Sequence, residues 1–366
     1  MENQNINKRY FYNVDFLRFI FSVIIVYFHI FSNIGKFYNN SMATDTYLHL
    51  GEICGSAYLI VDCFFIIAGF FLFRTILANK TNFKQYIINR IARLWPVLAF
   101  SFLICVIFFK YKLYTAIINS LFLQCIGVTL LYKGINWYIS PFFWVSIFYF
   151  YILKNFDKKY IHLIIAFCIY FSLVGNINYF DGGAGRETIK IFFNTGVMRA
   201  LSGIGIGYFI GYLYENIKDK ITYSIRTVKE KCSFLIVSAL EIYCFVFLIN
   251  NFLFHKTSYQ NHLIFLIIFS VLFFCFLIKK GLLSKVLDNK YFAFCGKYAY
   301  SIYIMQQISF NILKKTLWKH QIFIDNVPFC LIVSVLLPVI IGILTYYLIE
   351  IPAGKKVKQS LEKLFN

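Results

Sequence analysis

An arginine and a histidine lie eleven residues apart in the first apolar stretch of the chain, VDFLRFIFSVIIVYFHI at residues 14–30. On a helix, Arg18 and His29 would differ by about 20° in direction and about 16 Å in height, so they would share one face. Asp15 precedes Arg18 by nearly one turn and can pair with it. Histidine can exchange a proton near neutral pH or act as a nucleophile. The stretch therefore predicts a reactive group in a polar cavity, with a hydrogen-bonded structural histidine as the alternative.

Two further sets of polar groups follow along the chain. Asp62 lies in the apolar stretch YLIVDCFFIIAGFFLFR, where an unpaired carboxylate would be costly, and Gly69 can pack closely against a neighbouring helix. Arg90 and Arg93 then lie one helical turn apart, just before Pro96. Their forked guanidinium groups can bind phosphate oxygens, although a simple anchoring role at lipid headgroups is also open.

The composition indicates the kind of domain that must position these residues. The 366 residues are 60% hydrophobic and only 14% charged, whereas a soluble domain has about 25% charged residues. Apolar segments recur from end to end, which predicts an all-α, polytopic transmembrane bundle forming one domain over residues 1–366. No cleavable signal pattern precedes the first apolar stretch, so we interpret that stretch as the first span. The ten cysteines show no metal-ligand spacing, and the net charge of +20 is spread between apolar runs, which argues against nucleic acid as a partner.

Charge distribution orients the predicted spans. We predict ten, at residues 16–34, 56–73, 94–110, 137–153, 161–178, 196–214, 233–253, 261–278, 295–313 and 329–350. With this set, 25 of the 36 lysines and arginines fall on one side, which predicts that both termini are cytoplasmic. Counting residues 114–132 as a further span would place several basic segments outside. We therefore predict that 114–132 is a re-entrant or interfacial segment.

The ordered motifs resemble the acyltransferase type 3 family of membrane proteins. That family has an Arg-x10-His pattern in its first span, a VDxFFxxSGF stretch in its second and RxxRxxP before its third. The chain presents Arg18/His29, VDCFFIIAGF, and Arg90/Arg93/Pro96 in the same order and spacing. Four later stretches also look like family segments: NWYIS at 136–140, GIGIGYFIG at 203–211, GKYAYSIYIMQQ at 296–307 and IEIP at 349–352. The resemblance covers residues 13–353.

The resemblance implies an O-acyltransferase of the cytoplasmic membrane. Such an enzyme moves an acyl group, most often acetyl, from acyl-coenzyme A to a sugar hydroxyl of a surface polysaccharide or lipid-linked glycan. Acyl-coenzyme A is then a co-substrate, with no bound cofactor and no metal. His29 would be the general base or acyl carrier.

The resemblance also implies roles for the other candidates. Arg90 and Arg93 would meet the coenzyme phosphates, and Arg18 would lie near the path to His29. The predicted acceptor-binding residues are Asp62, Trp137, Arg199 and Gln306. Asp62 and Arg199 would hold the acceptor or orient His29, and Trp137 could stack on a sugar or belong to an interfacial aromatic belt.

Three positions depart from the family pattern. Ala68 replaces the usual serine of the SGF element, Pro141 and Phe142 stand where a carboxylate often follows the NW motif, and Gln306 replaces a second histidine. Glutamine can hydrogen-bond but cannot carry a proton, so we place the chemistry on His29 alone.

Two other functions fit the same residues. A transporter or flippase for a lipid-linked glycan would use a charged interior without acyl transfer, although the chain lacks the paired broken helices that would favour it. The second alternative is a family member that has lost its activity, and Gln306 in place of the second histidine would indicate that loss. The glycine-bearing loop GGAGRE at 182–187 lacks the lysine and strand–loop–helix context of a phosphate-binding loop, and we interpret it as a turn.

Overall fold

The computed structural model describes residues 10–124, 135–179, 188–189, 193–221, 227–253 and 262–365. The predicted loop 182–187 lies outside these ranges. Ten helices coincide with the ten predicted spans: α1 (Tyr12–Tyr38), α3 (Ile60–Leu77), α4 (Phe83–Phe109), α6 (Ile139–Asn155), α7 (Lys158–Tyr179), α8 (Thr195–Ile217), α9 (Val228–Leu253), α10 (His262–Ile278), α13 (Ala299–Lys315) and α15 (Val327–Thr345). Shorter helices are α2 (Thr44–Glu52), α5 (Leu113–Ser120), α11 (Leu282–Leu287), α12 (Lys290–Ala293), α14 (Gln321–Asp325) and α16 (Ile351–Phe365). Two strands, β1 (Thr188–Ile189) and β2 (Phe193–Asn194), pair antiparallel before α8.

Helix length and apolarity make this a polytopic membrane protein. In the described residues, seven helical stretches are long and apolar enough to cross a membrane: Tyr12–Tyr38, Ala57–Leu77, Phe83–Phe109, Lys158–Asn176, Thr195–Lys220, Val228–Asn251 and Val327–Phe365. The helices α6, α10 and α13 each have 17 residues, or about 26 Å, which is close to the thickness of the hydrocarbon core. The fold is therefore the predicted transmembrane helical bundle.

Contacts at the ends of α1 define two faces of the bundle. At its start, Lys279 donates to the Tyr10 carbonyl over 2.8 Å, and Gly296 packs directly on the Asp15 carbonyl with no room for a Cβ. At its far end, Lys314 donates to the Asn33 side chain over 2.6 Å. We call the end where α1 begins and α16 lies the basic face, and the other end the opposite face.

Helices α1 and α13 run in parallel across the bundle. Asp15 packs on Gly296, and Asn33 bonds to Lys314, so the same offset of 281 residues relates both pairs. With a rise of about 1.5 Å per residue on both helices, this register places Gln306 about one turn closer to the basic face than His29. The first span is therefore aligned with a helix from the end of the chain.

Helices α3 and α8 contact each other through their backbones at two glycines. A Cβ on Gly69 would overlap the Ile204 carbonyl oxygen, and a Cβ on Gly207 would overlap the Ile66 carbonyl oxygen. Two glycines facing each other let membrane helices approach until their backbones touch. The packing role predicted for Gly69 is what the structure shows.

Segment 114–132 begins with a short helix in the part that the structure describes. Helix α5 has only eight residues, about 12 Å, and the chain then folds back onto α6. There the Phe122 carbonyl accepts hydrogen bonds from Ser140 at 2.6 Å and Trp144 at 2.9 Å. Residues 125–132 lie outside the described ranges. The chain resumes with a buried 3-10 turn at Ile135–Tyr138 that leads directly into α6.

Candidate active site

A buried charge cluster joins three helices near the opposite face. Arg199 of α8 donates from Nε to Asp62 Oδ1 at 3.0 Å and from Nη2 to Asp62 Oδ2 at 2.8 Å. His262, the first residue of α10, places Nε2 2.9 Å from the same Oδ2. Each of the three residues is at most 2% exposed. The carboxylate is thus held on both oxygens, which offsets the cost of burying it.

The cluster also fixes the indole of Trp137. Arg199 lies over the Trp137 ring with Cζ 5.4 Å from the centroid, and its Nη2 donates to the Tyr58 carbonyl at 2.7 Å. Gly196 allows this approach, because a Cβ there would lie 2.6 Å from the indole. Trp137 is buried, so it is packed in the protein interior and not in an aromatic belt facing the lipid headgroups.

The turn Ile135–Tyr138 connects this cluster to the centre of the bundle. Tyr303 of α13 donates to the Ile135 carbonyl at 2.6 Å, and the Tyr138 ring packs edge-on against Tyr303 at 4.5 Å. Tyr138 in turn lies within electrostatic range of Arg18 and Arg93. One short turn therefore separates the buried Asp62 cluster from the arginines nearer the basic face.

Three predicted coenzyme-binding residues come together near the basic face. Arg93 on α4 is exposed to solvent although protein atoms surround it, which places it in a recess and not on an open surface. Arg18, Arg90 and Glu350 all lie close enough to interact with its charge. The structure thus groups arginines from α1 and α4 around one solvent-accessible recess.

The individual arginines are held in different ways. Arg90 donates from Nε to the Tyr86 hydroxyl at 2.9 Å and lies between the rings of Tyr86 and Phe142, each 5.0 Å away. Arg18 pairs with Asp15 at 3.3 Å, as the sequence predicts. Tyr10 donates a hydrogen bond to the same carboxylate, and burial together with this bond raises the pKa of Tyr10 to about 12. Tyr10 therefore stays protonated near neutral pH and remains a donor to Asp15.

Glu350 ends an irregular turn beside the recess. Residues Tyr346–Glu350 form a π-helical turn between α15 and α16, a geometry that often occurs at functional sites. Ser301 of α13 donates to Glu350 Oε2 at 2.6 Å. Glu350 therefore brings a carboxyl group to the side of the arginine recess.

His29 lies on the same uninterrupted helix as Arg18. It is half-buried in the outer part of α1, and its carbonyl accepts hydrogen bonds from Ser32 at 3.1 Å and Asn33 at 2.8 Å. Because Asn33 is itself bonded to Lys314, this part of α1 is fixed against α13. The position of the His29 backbone is thus determined by α13.

Gln306 occupies a fully buried position on α13. It is 0% exposed, and neither Oε1 nor Nε2 has a hydrogen-bond partner within the described part of the chain. A buried carboxamide without partners is costly, by about 1–3 kcal/mol for each unsatisfied group. Gln306 is therefore available to a small polar molecule in the bundle.

Sequence reasoning missed His262 and the bond between Ser301 and Glu350. The position of His262 at the start of an apolar stretch was one available signal, because an intramembrane Asp62 requires partners. The sequence singled out Asp62 and Arg199 but did not predict that they bind each other. In the described residues, no group of three or more His, Cys, Asp or Glu side chains could hold a metal ion.

Comparison with known proteins gives one match. A family model described as "Acyltransferase domain" matches residues 11–345, nearly the whole chain. No curated protein and no solved structure matches the chain.

Proposed function

We propose, from the premise that this chain belongs to the acyltransferase domain family and is a membrane acyltransferase, that it moves an acetyl group from acetyl-coenzyme A to a sugar hydroxyl. The acceptor would be a surface polysaccharide or a lipid-linked glycan. The grouping of Arg18, Arg90 and Arg93 around one recess, below the helix segment that carries His29, is the observation that carries this proposal.

The recess suits an anionic donor. Coenzyme A carries phosphate and diphosphate groups, and guanidinium groups bind such oxygens through charge-assisted, often paired hydrogen bonds. Arg90 is held in place by Tyr86 and Phe142, which reduces the conformational freedom it would lose on binding. We place the basic face in the cytoplasm of a cytoplasmic membrane, where acyl-coenzyme A is available and where lysine and arginine accumulate.

The thioester arm of the donor would extend from the recess along α1 toward His29. In one route, His29 takes the proton of the acceptor hydroxyl while its oxygen bonds to the thioester carbonyl carbon. The carbon–sulfur bond then breaks, and the coenzyme thiolate takes the proton from the imidazolium. In the other route, the imidazole nitrogen attacks the thioester carbonyl carbon, the carbon–sulfur bond breaks, and the coenzyme thiolate takes the imidazolium proton. The acceptor hydroxyl then attacks the acetyl-imidazole, and its proton returns to the imidazole nitrogen as the carbon–nitrogen bond breaks.

In our proposal, Asp62 and Arg199 influence the reaction indirectly, by fixing the position of Trp137. Both Asp62 oxygens and the Nε and Nη2 atoms of Arg199 are engaged with each other, with His262 and with the Tyr58 carbonyl. The Arg199 guanidinium also lies over the Trp137 ring. We assign these two residues a positioning role, and we assign acceptor contact to Trp137 and Gln306.

The test compares surface glycans from cells that lack the protein with glycans from cells that express it. Mass spectrometry before and after mild alkaline treatment measures ester-linked acetyl groups. Purified protein in lipid nanodiscs, supplied with labelled acetyl-coenzyme A, provides the matching assay of free thiol release. Acetyl esters that depend on the protein, together with thiol release, support the proposal. Glycans without any acyl difference but with altered export would contradict it and favour the transporter.

A further inference from the structure

An apolar groove runs between α4, α13 and α15 on the side of the bundle. Its volume is about 610 Å³, and its lining includes Ile104 and Phe108 of α4, Ile308 and Ile312 of α13, and Ile341 and Leu344 of α15. Within each helix the two residues are three or four positions apart, so they lie on one face. Ile308 is 4% exposed and forms the floor, whereas Phe108 and Leu344 are 62% and 54% exposed and form the rims. We call this feature the lateral groove.

The lateral groove is long enough for a lipid chain. Gly342 packs on the Ile302 backbone with no room for a Cβ, which sets the level of α15 beside Ile341. Lys315 lines the groove nearer the opposite face. The rise of α13 from Ile302 to Lys315 is about 20 Å. Because the hydrocarbon core is about 30 Å thick, this length exceeds the depth of one leaflet and can hold a whole acyl chain.

A charged group stands at one end of the lateral groove. Among the described residues that line it, Lys315 is the one that carries a charge. Its Nζ donates to the Phe108 carbonyl at 2.6 Å and lies 4.7 Å from the centroid of the Phe109 ring. Both partners are uncharged, and an ammonium group has three donors. Lys315 can therefore also donate to an anion at this end of the groove.

The ends of α4 and α13 at the opposite face are rich in lysine. Residues 100–113 and 308–321 contain no Asp or Glu, and their lysines are Lys110, Lys112, Lys314, Lys315 and Lys319. Lysine and arginine usually accumulate on the cytoplasmic side, where we place the basic face. Membrane topology therefore does not explain lysines at the opposite face. Anionic headgroups at this surface would be attracted by them.

The lateral groove is separate from the candidate acceptor-binding residues. Gln306 precedes Ile308 by two positions on α13, so its side chain points about 160° away from that of Ile308. At the end nearer the basic face, Leu348 and Ile349 of the π-helical turn line the groove. The next residue, Glu350, accepts from Ser301 beside the arginine recess. A chain in the groove would therefore pack against the turn that carries Glu350.

We infer that the lateral groove binds one anionic phospholipid of the leaflet at the opposite face. One acyl chain lies in the groove, and the phosphate of the headgroup accepts from Lys315. This inference goes beyond the proposed acyl transfer, because the bound phospholipid is neither the donor nor the acceptor. It explains an open apolar groove and a lysine at its end through a single ligand.

Two pairs of variants test the chain and the headgroup separately. Ile341→Trp fills the groove. Its matched control is Ile332→Trp, because Ile332 is exposed on the same helix, about 180° away, and is not part of the lining. Lys315→Gln removes the charge at the end of the groove. Its control is Lys319→Gln, which removes an exposed lysine of the same face from outside the lining.

The probes are phosphatidylglycerol and phosphatidylcholine with identical acyl chains, added to the full chain in detergent. Native mass spectrometry counts the retained lipids, and thermal unfolding measures the stabilisation that each lipid produces. We expect the wild type to retain one phosphatidylglycerol in preference to phosphatidylcholine. Lys315→Gln should lower this preference about fivefold, which is the effect of one lysine near an anionic surface. Ile341→Trp should lose binding of both lipids, and both controls should behave as the wild type.

Several outcomes would overturn the inference. Equal retention of the two lipids by the wild type would make the groove an ordinary lipid-facing depression. Equal losses in Lys315→Gln and Lys319→Gln would indicate a diffuse surface charge, and wild-type retention by Ile341→Trp would place the lipid elsewhere. If Ile341→Trp does not fold, the two lysine variants still decide.

A competing ligand is tested in the same assay. Displacement of phosphatidylglycerol by long-chain acyl-coenzyme A, at concentrations where further phospholipid has no effect, would assign the groove to a donor and contradict the inference. Failure of the proposed function is distinguishable, because it would appear as absent thiol release from acetyl-coenzyme A whatever the lipids do.

Discussion

The indole of Trp137 lies against the guanidinium of Arg199, with Arg199 Cζ 5.4 Å from the ring centroid. Arg199 also donates from Nε to Asp62 Oδ1. Tyr138, the residue after Trp137, lies within electrostatic range of Arg18 and Arg93. The turn that contains Trp137 therefore has the buried Asp62–Arg199 cluster on one side and the arginine recess on the other. This arrangement motivates the following predictions.

Replacing His29 with alanine should lower acyl transfer by about 10²–10⁴-fold, because a positioned base contributes that much to such reactions. His29 is half-buried, so the unfolding midpoint in detergent should stay close to that of the wild type. Transfer of labelled acetyl groups to glycan is the measurement. His49→Ala is the control, since its side chain is 81% exposed on α2. Full activity of His29→Ala would remove His29 from the mechanism.

Replacing Arg90 or Arg93 with alanine should weaken acetyl-coenzyme A binding by about 10–100-fold, which is the effect of losing one or two charge-assisted hydrogen bonds. Wild-type affinity should fall as salt rises, because the interaction is ionic. Isothermal titration at two salt concentrations tests both statements. Lys80→Ala, an exposed site after α3, serves as control. If affinity is unchanged in both arginine variants, these residues are topology anchors only.

Removing one partner of the buried pair should destabilise the protein more than removing both charges. Arg199→Met leaves Asp62 with His262 alone in a buried site, and we expect a loss of about 3–5 kcal/mol in the free energy of unfolding. The double variant Asp62→Asn/Arg199→Met should recover part of that loss. A double-mutant cycle from denaturation in detergent measures the coupling. Additive single effects would show that the two residues do not act as a pair.

A methyl group at Gly207 should separate α3 from α8. Gly207→Ala would place its Cβ against the Ile66 carbonyl oxygen, where there is no room, so yield and the unfolding midpoint should fall. Gly35→Ala is the matched control, because its nearest neighbour to a new Cβ is the Tyr38 hydroxyl oxygen at 3.8 Å. Fluorescence-detected size exclusion and thermal unfolding compare the two. Equal behaviour of both variants would mean that the helices can shift apart without cost.

Hydropathy predicted the helices well because each span must satisfy its backbone hydrogen bonds within itself. All ten predicted spans fall on helices. The re-entrant or interfacial placement of 114–132 stays a prediction. Helix ends were predicted less well. Helix α4 begins at Phe83, eleven residues before the predicted span at 94–110. Its first three turns carry charged and amide side chains among the apolar ones, and Asn82 caps them by accepting from the Gln85 amide.

Pairing between distant residues was not predictable from one sequence. The rule that a buried carboxylate needs a partner marked Asp62, yet Arg199 and His262 lie 137 and 200 residues away along the chain. No local pattern fixes which helices meet.

The Asp62–Arg199 pair has a consequence for how the protein is made. During synthesis, α3 is made with Asp62 before α8 supplies Arg199. The Asp62 carboxylate is therefore without Arg199 until five more helices, α4 to α8, have been made. Similarly, α1 stays without its parallel partner α13 until 281 further residues have been made. A ribosome that stops early therefore leaves a chain that holds the arginines and His29 but lacks the helix that fixes them. The contact that fixes the outer part of α1, where His29 lies, forms only once α13 is in place.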